Sequence, residues 1–399
     1  MMGTGLAQAV PIAVSPILTR IYSPSDMGLF AVYTTMATII GAIANGRYEL
    51  AVMLPKKRTE SLALIKLGFI ISLIISFLLL LVTVIFGKEI ARLLGNEDIY
   101  LWLFLLPIST LLLSLYQNLS YWNIKSREFK HIAGSRIFQS TGTGLGQLGL
   151  GLVVPGGVGL VLGTFIGNLG ANLSLLKLFN TKDWFILKGI NKKRIKQIGK
   201  RFRKFPEIDV PATALNLGAT HVPNILFASL FSSIYSGFYY LTLRVLQAPI
   251  TLISSSVLDV FKEEAAKDYR EKGNAKNIYL KTLKILFLIA IVPSVLLYFF
   301  IEDIFGFVFG KDWIIAGEYA KILIPALFLR FMSNPLSFMI YIAEKQLCNL
   351  IVMIILFVAV VITFFISSNH YEVVYKISII QSGYYIFHLI LSAKLAKVF

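Results

Sequence analysis

The stretch "LALIKLGFIISLIISFLLLLVTVIF", residues 62–86, decides the class of this protein. It carries a single charge, Lys66, at its fifth position. About 20 apolar residues in a helix cross the roughly 30 Å of hydrocarbon in a bilayer. The same pattern recurs along the chain. Twelve spans are read at 3–22, 28–53, 62–86, 100–122, 131–152, 156–180, 209–232, 236–260, 278–301, 317–343, 347–367 and 371–396. Composition agrees: of 399 residues 56% are hydrophobic and only 15% charged, with a mean hydropathy of +0.75. Soluble chains carry about 25% charged residues. A transmembrane barrel would instead show alternating segments of about ten residues. The reading is an all-α membrane protein with about 12 transmembrane helices.

The loops orient the spans. "PKKRTES" (55–61), the cations Lys125, Arg127, Lys130 and Arg136, "KGINKKRIKQIGKRFRK" (188–204) and "FKEEAAKDYREKGNAKN" (261–277) all fall on one side. The opposite loops, "YSPSD" (22–26), "VVPGG" (153–157), "SSIYS" (232–236) and "IEDIFGFVFGKDW" (301–313), are short or acidic. Excess Lys and Arg mark the cytoplasmic side, so both termini are expected there. The net charge of +17 is accounted for by these loops beside anionic lipid headgroups, and nucleic acid is not an expected partner. The first span starts almost at Met1 with no basic leader of a cleavable signal. The expectation is a native start longer by a few residues or a turn of helix.

The chain also repeats. "DMGLFAVY" (26–33) and "YSGFYYLT" (235–242) each open a long helix with Gly–x–aromatic, which aligns Gly28 with Gly237. Spans 3–6 map onto spans 9–12 at a similar offset. Each half has an even number of spans, so the repeat is parallel, with its axis along the membrane normal. The expected domains are an N-terminal six-helix lobe (1–180), a basic cytoplasmic linker (181–208) and a C-terminal six-helix lobe (209–399), the lobes flanking a central cavity. Transporters built from such repeats bind substrate between the halves. Pro11 and Pro16 in the first span, and Pro211 and Pro223 in the seventh, are hinge candidates, because proline inside a helix removes a hydrogen bond and kinks it.

Ionisable residues inside spans are costly and face a cavity or a partner. Arg330 falls near the middle of span 10 and Arg244 in the outer half of span 8. Arg47 lies late in span 2, about 13 Å of helix from the loop at Lys56. Arg20 sits at the outer end of span 1. Glu49 follows Arg47 by two residues, about 200° around a continuous helix, where the two cannot pair. Glu49, His221 and Asp209 are the candidates for ion coupling or the cavity wall. Tyr48, Tyr239 and Tyr240 are candidates for stacking on sugars. Cations without midplane carboxylates suit an anionic substrate such as a phosphate or pyrophosphate, since guanidinium groups offer forked donors.

Enzyme chemistry finds no support. The four histidines, His131, His221, His370 and His388, are scattered, and Cys348 is the one cysteine, so no metal-ligand spacing is present. "GTGLGQLGLG" (142–151) imitates a nucleotide loop but lies inside span 5, where small residues serve close helix packing. With no Walker motif, energy must come from an ion gradient, the membrane potential or downhill flow. No cofactor is expected beyond coupling H⁺ or Na⁺.

"GTGLAQAVPIAVSPILTRIYSPSDMGLFAVYTT" (3–35), "GRYELAVMLPKK" (46–57) and "GFYYLTLRVLQAPITLISSSVLDVFKEEA" (237–265) resemble the Wzx-type oligosaccharide flippases of the multidrug/oligosaccharidyl-lipid/polysaccharide (MOP) exporter superfamily. The resemblance covers nearly the whole chain. It implies alternating access that moves an undecaprenyl-pyrophosphate-linked sugar unit, such as an O-antigen repeat, across a bacterial cytoplasmic (inner) membrane. It also implies that Arg47, Arg244 and Arg330 are candidates for a cationic cavity. The expected partners are the lipid-linked oligosaccharide, membrane lipids, and polysaccharide polymerase or glycosyltransferase proteins. Two other readings stay open: a cation-coupled small-molecule exporter of the same superfamily, and a non-transporting membrane scaffold for polysaccharide assembly.

Overall fold

The computed structural model describes residues 2–177 and 179–399, and among these there is no strand. Twelve long helices correspond to the twelve expected spans. They are α1 (Met2–Ile21), α2 (Pro24–Ile43), α3 (Arg58–Leu93), α4 (Leu106–Lys125), α5 (Phe129–Gly151), α6 (Val158–Leu176), α7 (Val210–Leu230), α8 (Ser233–Lys272), α9 (Lys276–Val308), α10 (Ile314–Leu336), α11 (Gln346–Ile366) and α12 (His370–Leu395). Local chemistry sets several ends. Ser23 and Asp26 form a reciprocal capping box at the start of α2, with Pro24 in its first turn. Asn369 caps α12 through the Glu372 amide.

By length and composition, seven helices among the described residues are apolar enough to span a membrane: α2, α3, α6, α8, α9, α11 and the 311–342 segment that holds α10. Much of the surface of α3 is bare hydrocarbon, with Phe77 and Ile85 60% and 64% exposed. Exposed apolar area of that extent belongs in lipid. The remaining helices are diluted by Gly, Ser, Thr, Asn and Gln. For α1, α4 and α5 the reason is a polar cavity, described below.

By internal packing the chain divides into two units, Met1–Gly237 and Phe238–Phe399. In the first, α5 lies against both α6 and α1, α3 against α4, and α7 along α2. The repeat would begin a second lobe with α7, whereas the packing counts α7 with the first unit. "GTGLGQLGLG" is indeed a packing face. A methyl on Gly146 would come within 2.9 Å of Gly163, and one on Gly142 within 3.3 Å of Gly167, both on α6. In the second unit α10 packs on α9 and α12, and α11 on α12. Its core gathers Phe261, Tyr279, Leu286, Phe331 and Leu336.

The repeat-related glycines meet. A side chain on Gly28 would strike the Ser233 carbonyl oxygen at 1.7 Å, and one on Gly237 would strike that of Pro24 at 1.9 Å. Ser25 and Ser233 hydrogen-bond through their hydroxyls at 2.8 Å. Such reciprocity is what a two-fold relation between the starts of α2 and α8 dictates, and only glycine lets the backbones approach so closely.

The basic segment after α6 is ordered and docked on the first unit. It forms the helices Thr181–Gly189 and Lys192–Arg201 and a π-helical turn, Phe205–Asp209. Buried Asp183 receives a two-pronged hydrogen bond from Arg58 at 2.7 and 2.8 Å. Lys66 caps the first of these helices through the Leu187 and Ile190 carbonyls. Arg194 and Arg201 converge on Glu60.

Candidate functional site

A polar cavity of about 490 Å³ opens inside the first unit, walled by α1, α2, α4, α5 and α6. Most of its lining residues carry a hydroxyl or an amide, among them Thr34 and Thr38 from α2, Gln139 and Thr143 from α5, and Thr164 and Asn168 from α6, set in a surface that is mostly apolar carbon. The wall is braced by a Tyr33–Ser109 hydrogen bond of 2.6 Å and a Gln139–Asn168 bond of 2.6 Å. The carbonyl oxygen of the Gln8 side chain, also in the lining, is buried without a hydrogen-bond partner among the described residues. Among the described residues Arg136 is the one charged group in this lining, and no carboxylate belongs to it.

The sequence reading grouped Arg136 with the basic loop after span 4. In fact it stands two turns inside α5. A signal was available: Arg136, Gln139, Ser140, Thr143 and Gln147 recur at three- and four-residue spacing, which makes one polar stripe on a helix. Pro11 of α1 also lines the cavity, beside the turn where its carbonyl accepts from Ser15. Pro16 and Pro223 are interior to their helices, as a kink requires. Pro211 stands in the first turn of α7, just after the π-helical turn Phe205–Asp209 runs into that helix.

At the basic-loop end of this unit, α2 stops early. Gly46 and Arg47 both take left-handed backbone angles, φ 64° and 58°, and the chain restarts in the short helix Tyr48–Ala51. This corrects the expected separation of Arg47 and Glu49. Their side chains form an ion pair, Nη1 to Oε1, at 2.9 Å. The argument against pairing assumed one continuous helix, and the left-handed turn removes that premise. Glu49 is fully buried, while the Arg47 side chain is 19% exposed. Asp209 acts on Glu49 across this end of the unit, and Tyr121 of α4 lies within reach of both members of the pair. Tyr48 is buried in the local core and donates to the Gly199 carbonyl at 3.1 Å. As placed, it fastens the basic helix and does not present a face to a sugar. His221 is half-buried on α7, its carbonyl 3.4 Å from the Thr35 hydroxyl.

In the second unit, Arg330 is half-buried on α10, and no carboxylate pairs with it among the described residues. Its charge reaches Tyr239 of α8 and Tyr384 and Tyr385 of α12. The two α12 tyrosines were not anticipated. Tyr239 is buried in the core of this unit, as Tyr48 is in the first. Arg244 lies one turn from Tyr240, 6.0 Å above its ring and with a long 3.5 Å contact to its hydroxyl. Arg20 is exposed in the last turn of α1. Arg47, Arg136 and Arg20 thus lie in one unit, Arg244 and Arg330 in the other.

Residues 17–317 match the family described as "Polysaccharide biosynthesis protein". The chain belongs to that family. This polysaccharide biosynthesis protein is similar in structure to "Lipid II flippase MurJ, inward closed conformation", with a TM-score of 0.77 at 15% identity over 98% of this chain and 87% of that one. It is also similar to an "Inward-facing conformation of a multidrug resistance MATE family transporter of the MOP superfamily", with a TM-score of 0.76 at 14% identity over 99% and 95%. A MOP superfamily transporter from Pyrococcus furiosus gives a TM-score of 0.65 at 12% identity over 100% and 94%. No curated protein matches the chain by sequence. At these identities the structural likeness is one of fold. The polysaccharide biosynthesis protein is therefore a multi-pass membrane protein, helical throughout its described secondary structure and similar in fold to these transporters, in keeping with the resemblance to Wzx-type flippases.

Proposed function

We propose that this protein is a flippase for lipid-linked oligosaccharides of the undecaprenyl-pyrophosphate type, working by alternating access in a bacterial cytoplasmic membrane. The observation that carries the reading is the 490 Å³ cavity, whose described lining residues bring hydroxyls, amides and Arg136 and no carboxylate. Hydroxyls and amides exchange hydrogen bonds with sugar hydroxyls as water would. A guanidinium adds forked donors for a phosphate. An exporter of organic cations would call for carboxylates instead. The physical task is to carry a polar headgroup across about 30 Å of hydrocarbon while its tail stays in lipid, and a wet, polar pocket within a helix bundle lowers that barrier. Arg330 with its surrounding tyrosines is the corresponding feature of the second unit. Family membership and the MurJ-like and MATE-like fold support a transporter rather than a catalyst or a passive scaffold. We further assign the repeat-related halves to 1–180 and 209–399, and propose coupling to H⁺ or Na⁺ and association with polymerase or glycosyltransferase proteins.

Deleting the gene and assaying the leaflet of lipid-linked intermediates tests this. Accumulation on the cytoplasmic leaflet is expected. Normal surface polysaccharide, with drug sensitivity changed instead, would overturn the flippase in favour of an exporter.

A further inference from the structure

Arg47 and Glu49 occupy an unusual electrostatic position. Glu49 is fully buried, and apart from its own backbone amide no group hydrogen-bonds its carboxylate among the described residues. Its compensation is the off-axis ion contact with Arg47 at 2.9 Å. Arg47 is itself underused, because its Nε is buried and has no acceptor. The pair is held by a left-handed arginine, a conformation that non-glycine residues adopt at a cost and that concentrates at functional sites.

The surrounding cations are already engaged. Lys125 of α4 donates to the Val52 and Pro55 carbonyls. On α3, Arg58 is held by Asp183 and Lys66 by two carbonyls, while Glu60 is taken by Arg194 and Arg201. Lys56 and Lys57 are exposed. The remaining groups that face the pair are Tyr121 from α4 and Asp209 from the π-helical turn; the latter is a second negative charge. Glu207 of the same turn lies beside Tyr48.

We propose that Arg47 and Glu49 form a proton-linked anion site, in which a phosphate-class anion takes the Arg47 guanidinium as Glu49 takes up a proton. This rests on the reading of the substrate as a lipid diphosphate. The reasoning is a charge balance. A carboxylate with no hydrogen bond from any other residue, buried beside Asp209, is not sustained once its single cation turns to another anion. A proton from the aqueous phase then settles on a Glu49 carboxyl oxygen and leaves it neutral. The pair changes from net zero to one positive charge, and with Asp209 counted the surroundings go from one negative charge to neutral, which removes the repulsion of the incoming phosphate. Anion binding and proton uptake become one event, and acid favours the bound state.

The test uses the full chain in lipid nanodiscs with inorganic pyrophosphate as the probe. Calorimetry in buffers of different ionisation enthalpy, from mildly acidic to mildly alkaline pH, counts protons taken up on binding. Because pyrophosphate itself titrates, the readout is the difference between wild type and Glu49→Gln. Wild type should take up about one proton more per pyrophosphate, and at alkaline pH Glu49→Gln should bind about tenfold tighter. Arg47→Lys, which keeps the charge, should keep the extra proton. The double variant Arg47→Gln/Glu49→Gln removes both charges without stranding either in the interior, and it should not bind. Equal proton uptake by wild type and Glu49→Gln would overturn the proton link and leave the anion site standing. Absence of pyrophosphate binding to wild type at every pH would overturn both the site and the assignment of Arg47 to a phosphate.

Discussion

Arg136 shows how a single side chain changes meaning with depth. In the chain it follows Lys125, Arg127 and Lys130 and reads as one more loop cation, yet it belongs to the wall of a cavity lined otherwise by uncharged groups. A charge-assisted hydrogen bond contributes about 1.5–3 kcal/mol, so its loss corresponds to a tenfold to hundredfold weakening, roughly. Arg136→Glu should therefore abolish surface polysaccharide with the protein still in the membrane, and Arg136→Lys should retain part of it. The same reversal at Arg330 should act alike, measured by polysaccharide display against protein level. Normal display in both reversals would remove the anion site from the account. The tyrosines divide differently. Tyr48 and Tyr239 are buried in the cores of their units, whereas Tyr240 is half-buried beside Arg244.

Among the elements, the docked helices at 181–201 carry a clear energetic test. Removing Arg58 strands a buried Asp183. A fully buried pair broken this way costs about 3–5 kcal/mol. Arg58 is half exposed, so water recovers part of that, and about 2 kcal/mol is the reasonable expectation. Arg58→Ala should lower the unfolding midpoint and raise protease cleavage within 181–201. Cleavage unchanged from wild type would show that the Glu60 and Lys66 contacts suffice alone. The starts of α2 and α8 offer a second test. Ser25→Cys/Ser233→Cys should crosslink under mild oxidation, given the 2.8 Å between the two hydroxyls. Adding Gly28→Val should suppress the crosslink, because the new side chain meets the Ser233 carbonyl. An undiminished yield would mean that the helix starts do not need the bare glycine.

For the molecule as a whole, the pattern of loop charge makes a topological prediction. In a Cys348→Ser background, single cysteines at Lys57, Lys196 or Lys272 should react only with reagents that reach the cytoplasm. Cysteines at Ser25, Gly156 or Asp312 should react from outside. A reversed result would invert the proposed direction of transport along with the orientation. Lipid-facing surfaces should tolerate apolar exchange: Phe77→Leu on α3, 60% exposed to what we read as lipid, should leave expression unchanged.

The class of the protein was legible because hydropathy acts locally: a run such as 62–86 can only be a spanning helix, whatever surrounds it. Each of the twelve expected spans finds a helix, and α8 runs on past 260 to Lys272, through the stretch expected as a loop. The opposite happens at 28–53, where the apolar character runs on past Ile43 although the helix does not. The close approach was legible for a related reason, since a bare glycine at the start of two helices marks one, and Gly28 and Gly237 approach each other. What the chain alone did not convey depended on partners distant in sequence or on backbone angles. The left-handed turn at Gly46 and Arg47 overrode the 200° separation assumed for a regular helix and made an ion pair of Arg47 and Glu49. Docking by Asp183, Glu60 and Gly199 turned an apparent linker into part of the first unit. The polar cavity needed five helices to converge before Arg136 could be seen as its cation. Periodicity specifies which face of a helix is buried or polar, but burial itself is a property of the assembled bundle. Tertiary packing therefore decided which of the charges became a site.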